Sequence, residues 1–69
     1  MNDYQIQVRW SPEDEAWIAS VPDLSYCAAH GATPHEAVAE VEVAAEAWLR
    51  AARTTGRPVP APTVWEARA

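Results

Sequence analysis

Thr33-Pro-His-Glu-Ala-Val-Ala-Glu-Val-Glu-Val-Ala-Ala-Glu-Ala-Trp-Leu-Arg-Ala-Ala-Arg53 decides the fold, because it reads as one amphipathic helix against which the rest of the chain must be placed. Thr33 suits the N-cap, where its hydroxyl accepts a bond from a free N–H of the first turn. Glu36 is positioned to reach back to the Thr33 N–H and complete a capping box. Pro34 fits the first helical position, where a missing N–H costs nothing. Val38, Val41, Ala45, Trp48, Leu49 and Ala52 recur at helical spacing and form one apolar stripe. Glu36 and Glu40 fall early and Arg50 and Arg53 late, as the helix dipole favours. Glu46 and Arg50 add a well-oriented pair four residues apart. Gly56 stops the helix, and Pro58 and Pro60 prevent its resumption. Ala39, Val43 and Ala47 lie opposite the stripe. The simpler reading makes them ordinary helix formers; the sharper one makes them a contact with another protein.

Upstream, Tyr4 to Trp10 alternates. Tyr4, Ile6, Val8 and Trp10 share one side and Gln5, Gln7 and Arg9 the other, predicting a strand with one buried face. Ser11 to Asp14 is a turn set by Pro12. Glu15 to Val21 predicts a second, antiparallel strand with Trp17, Ala19 and Val21 inward and Ile18 on the far face. Pro22 and Asp23 end it. A short third strand is expected at about Tyr26 to His30, after which Gly31 and Ala32 lead to Thr33. Arg57 to Pro62 is a Pro-rich extended connector. Thr63 to Ala67 reads as a short fourth strand, with Trp65 needing an anchor near the chain end. The result is one α+β domain over residues 1–69, a two-layer β-β-β-α-β arrangement whose mostly antiparallel sheet packs on one helix.

The 69 residues hold a single small domain, of a size that buries only about 60% of its unfolded surface and is marginal alone. Nearly half the residues are apolar, at 49%, which excludes a disordered chain. With four Trp and no Phe, the indoles are expected to supply most of the large core volume. Ten acids against five bases give a formal charge of −5, which disfavours direct binding to a phosphate backbone and suits a basic protein partner. The single cysteine, Cys27, has no partner for an internal disulfide, and neither a signal peptide nor a membrane span is visible. A cytoplasmic, non-membrane protein is expected.

Candidate chemistry is sparse. Cys27, His30 and His35 fall short of the four closely spaced ligands of structural zinc, so no metal or cofactor is expected. Asp14 and Asp23 lie in turns, while Glu36 and Glu40 are accounted for as helix N-terminal charges. Neither set promises the converging carboxylates of two-metal chemistry. No Cys–His or Ser–His spacing suggests a nucleophile, and no catalytic residue is assigned. Trp10 and Trp17 flank a hairpin and are placed to pair across it. Trp48 belongs to the helix stripe.

Three stretches together resemble the HicB family: Trp17-Ile-Ala-Ser-Val-Pro-Asp-Leu24; the Gly-x-Thr-x-x-Glu-Ala pattern within His30-Gly-Ala-Thr-Pro-His-Glu-Ala37; and the exit from Gly56 through Val59-Pro60 to Pro62. The resemblance covers nearly the whole chain in the family's order. The family usually has Gly in the loop before its third strand, where this chain has Ser25 or Tyr26. It often has Asp between the Gly and Thr of the pattern, where this chain has Ala32.

The resemblance implies a β-β-β-α-β fold likened to a reduced RNase H. It also implies an antitoxin that binds and blocks HicA, a small basic ribonuclease. Many HicB proteins add a DNA-binding module, and none is expected after Ala69. On this reading Glu13, Asp14, Asp23, Glu36 and Glu40 are candidate toxin contacts. Ile18, Val64 and Trp65 are candidate contacts of a homodimer or higher homo-oligomer. The alternative is a stand-alone HicB-like scaffold or small-ligand-binding module with no toxin.

Overall fold

The helix forms where its signals place it. In the computed structural model, which describes residues 4–62, α1 runs Pro34–Thr55 after the strands β1 (Gln7–Ser11), β2 (Ala16–Ser20) and β3 (Ala28–Gly31). Thr33 Oγ1 accepts the Glu36 N–H at 3.1 Å. The Glu36 carboxylate accepts the N–H of Ala32 at 2.8 Å, one residue ahead of the expected Thr33 amide. At the other end Gly56 takes φ 73. Gly56 N–H donates to Arg53 C=O at 3.4 Å and Arg57 N–H to Ala52 C=O at 2.8 Å, the paired bonds of a Schellman cap.

The sheet is antiparallel, in the order β1-β2-β3. Val8 pairs with Ala19 and Trp10 with Trp17, while Trp17 and Ala19 pair in turn with Gly31 and Ala29. Directly paired residues share a face, so these side chains point toward α1. The opposite face carries Arg9–Ile18–His30 in one row and Gln7–Ser20–Ala28 in the next.

Several boundaries differ from the expected ones. Tyr4 to Ile6 precede β1, whose pairing with β2 begins at Gln7 opposite Ser20; on the other side of β2, Val21 N–H donates to Cys27 C=O at 3.0 Å, one step beyond the Ser20–Ala28 pair. Glu15 lies at φ 49, so β2 begins only at Ala16. Tyr26 lies at φ 60 within a turn closed by Cys27 N–H to Leu24 C=O at 3.2 Å, so β3 begins only at Ala28. The expected fourth strand lies outside the described residues.

The core is built from small side chains. Ala19, Val21, Leu24, Ala37, Val41 and Ala45 are fully buried, with Cys27 nearly so. Among the described residues the largest fully buried side chains are Leu24, Val21 and Val41, so Trp10, Trp17 and Trp48 do not fill the centre, contrary to expectation. Trp17 and Trp48 pack at its rim, and Trp10 is 47% exposed. Alanines between helix and sheet permit close approach, closest at Gly31, where an added Cβ would stand 2.3 Å from the Ala37 nitrogen. That approach centres the buried stripe on Ala37, Val41 and Ala45 and moves Val38 to its flank. The helix lies over β3 and β2 far more than over β1. Val8 and Trp10 therefore face the helix side without being covered, and Val8 is 38% exposed.

Candidate protein-binding surface

Topology sorts the candidate acids into two groups. The turn over residues 12–15 joins Ser11 to Ala16, its paired neighbour, and so lies at one end of the sheet. Gly31, opposite Trp17, brings β3 to that same end, from which the chain enters α1. Glu13 and Asp14 in the turn, and Glu36 and Glu40 in the first turns of the helix, therefore share one end of the molecule, all exposed. Asp23 does not join them. It is half-buried between Val21 and Leu24, whose closing bond is 3.0 Å, at the opposite end.

The acids are not equivalent in what they already hold. Ser11 Oγ–H donates to Asp14 Oδ2 at 3.1 Å and accepts the Asp14 N–H at 3.4 Å, which fixes the turn and orients the carboxylate. One Glu36 oxygen is committed to Ala32. The end of the sheet is thus an acidic rim in which two of the candidate carboxylates are locally held and the other two, Glu13 and Glu40, are exposed, with Glu15 exposed in the same turn as Glu13.

Groups associated with bond-making chemistry are dispersed. Among the described residues no three His, Cys, Asp or Glu side chains converge to hold a metal ion. Cys27 is 5% exposed, and burial pushes its thiol above the ordinary range, which suppresses the reactive thiolate. His30 lies on the open face of the sheet and His35 in the first turn of α1. Among the described residues no helix is long and apolar enough to cross a membrane.

Of the candidate self-association residues, Ile18 is half-buried on the open face, between Arg9 and His30. Val64 and Trp65 lie outside the described residues. Trp10 and Trp17 pair edge to face as expected, with ring centroids 5.6 Å apart and planes at 65°. Trp48 is half-buried and its indole N–H donates to Ser25 C=O at 2.9 Å, tying α1 to the loop before β3.

Reading the residues alone overlooked three features. The strand alternation already set Arg9 apart from the buried side, but only the register joins it to His30 across Ile18. Tyr26 is fully exposed at a left-handed backbone position. The placement of Glu13 and Asp14 beside Glu36 and Glu40 required the strand pairing.

Neither a curated protein nor a solved structure matches the chain significantly. The family model described as "HicB_like antitoxin of bacterial toxin-antitoxin system" matches residues 4–69. The stretch from Gly31 to Ala37 within that match is a single structural unit: Gly31 admits the helix, Thr33 and Glu36 cap it, and Ala37 is its first buried residue. The chain belongs to the family of HicB-like antitoxins of bacterial toxin-antitoxin systems.

Proposed function

We propose that this protein is a cytoplasmic, non-catalytic antitoxin domain that neutralises a small basic ribonuclease, HicA-like, by masking its RNA-binding surface. The observation that carries the reading is the acidic rim, with Glu13, Asp14, Glu36 and Glu40 at one end of the sheet, in a chain of the antitoxin family. Carboxylates held over a basic surface steer association and exclude the phosphate backbone that the surface would otherwise bind. The mechanism needs no covalent step, metal or cofactor, and the rim is a poor site for nucleic acid. Asp23, at the far end, belongs to the fold rather than to this contact.

Co-expression with a small basic ribonuclease of the HicA type, followed by affinity measurement, tests the reading. Glu13→Lys with Glu40→Lys is expected to weaken the complex at least about tenfold and slow association, as charge reversal at an interface rim does. Asp23→Asn is expected to leave it within about threefold. Failure of any small basic ribonuclease to bind the parent sinks the antitoxin reading and leaves the stand-alone module.

A further inference from the structure

We propose that the cleft between the loop before β3 and the chain leaving α1 binds a small planar aromatic carboxylate. The cleft has a volume of about 370 Å³ and is lined by Ser25, Tyr26, Trp48, Arg57, Pro58 and Pro60. That volume falls within the roughly 300–1,000 Å³ of small-molecule sites. It lies at the end of the sheet opposite the acidic rim, where the chain turns from β2 to β3 and α1 ends. Ligand binding there is separate from the masking of a toxin, and the test contains none.

Bonds within the chain fix the walls. The Trp48 indole N–H donates to Ser25 C=O at 2.9 Å, which holds the ring against the loop. Arg57 N–H donates to Ala52 C=O at 2.8 Å and so sets the direction in which Arg57 and Pro58 leave the helix. The Tyr4 hydroxyl donates to Pro60 C=O and anchors the connector. Pro58 and Pro60, each with a fixed φ, add stiff apolar surface. Beside them the half-buried indole offers a flat face to a ligand ring.

Tyr26 stands at the mouth with a left-handed φ of 60 and a fully exposed side chain. Strained backbone of this kind clusters at ligand clamps, where it is part of the binding mechanism. The phenol ring packs on nothing within the chain, which leaves it available to close on a bound ring opposite Trp48.

Charge selects the ligand. None of the described residues lining the cleft is acidic, in a chain of net charge −5. Asp23 shares this end of the molecule but does not line the cleft. The one cation of the lining, Arg57, carries a guanidinium, which takes a carboxylate through two parallel N–H bonds. A single cation among flat apolar walls suits one anionic group on one ring system. A nucleotide brings a sugar and further charge that these walls leave unmatched.

Titration with naphthoate and its neutral isostere naphthamide, followed through the amide and indole N–H resonances by NMR, provides the test. Circular dichroism confirms that each variant is folded. Naphthoate is expected to shift the Trp48 indole N–H and the Tyr26 and Arg57 amides, saturating at about 1 mM or below. Naphthamide is expected to bind at least about tenfold more weakly. Arg57→Gln is expected to abolish that preference by weakening naphthoate alone. Tyr26→Ala, which keeps the backbone strain and removes the ring, is expected to weaken both ligands about fivefold. Failure of naphthoate to saturate overturns the proposal, as does equal affinity for naphthamide in the parent. Shifts confined to another part of the chain, or naphthoate affinity unchanged in either variant, place the ligand elsewhere and also overturn it.

Discussion

Two residues show opposite relations between backbone and side chain. At Gly31 the backbone needs the missing side chain, since a Cβ would stand 2.3 Å from the Ala37 nitrogen and 2.7 Å from Glu36 Cβ. The obstacle is helix backbone, which cannot rotate aside. Gly31→Ala is therefore expected to cost about 3 kcal/mol or more, at the upper end of overpacking effects. A denaturant midpoint equal to the parent's would contradict the close approach. At Tyr26 the backbone is left-handed and the side chain, fully exposed, gives nothing back through packing within the chain. That conformation costs an L-residue roughly 1–2 kcal/mol, part of which glycine returns through its freer unfolded state. Tyr26→Gly is expected to stabilise the fold by about 0.5–1 kcal/mol, while Tyr26→Ala, which retains the strain, gains nothing. Equal melting temperatures for these two variants would place the strain elsewhere.

The elements differ in how openly their sequences declare them. Helix α1 was legible because its cap, stripe and stop are all local: Thr33, Glu36 and Gly56 act on backbone groups a few residues away. The hairpin was legible for the same reason, and the pairing of Trp10 with Trp17 follows from it. What a strand's alternation does not reveal is which part of its inner face gets covered. Val8 and Trp10 point the expected way but stay exposed because the helix lies toward β3, a choice made at Gly31 two elements away. The same choice displaced Val38 in favour of Ala37. The acids of the rim were individually visible as turn and cap residues, and their company was not, because only register brings a hairpin turn beside a helix start. Trp48 illustrates the energetic consequence. Stripe position alone suggests a core indole worth about 3–5 kcal/mol, whereas a half-buried ring with one hydrogen bond to an exposed loop is expected to lose about 2 kcal/mol in Trp48→Ala. Urea unfolding of that variant separates the two values.

At the scale of the whole molecule, the acidic end stands over a core whose largest fully buried side chains, among the described residues, are only Leu24, Val21 and Val41. So small a core holds the domain near the margin of stability, and binding to the folded state is then a main source of added stability. The two ends of the described chain meet, since the Tyr4 hydroxyl donates to Pro60 C=O. The order of the elements along the chain is thereby separable from their arrangement in space. A circular permutant that joins Tyr4 to Pro62 through a short linker and opens between Glu13 and Asp14 cuts an exposed turn and no helix or sheet ladder. It is expected to fold with the parent's far-ultraviolet spectrum and with a lower melting temperature, reflecting the lost Ser11–Asp14 turn. In such a permutant the acids that proved neighbours only through folding would stand at the two new termini, where charge, length and tether are open to choice.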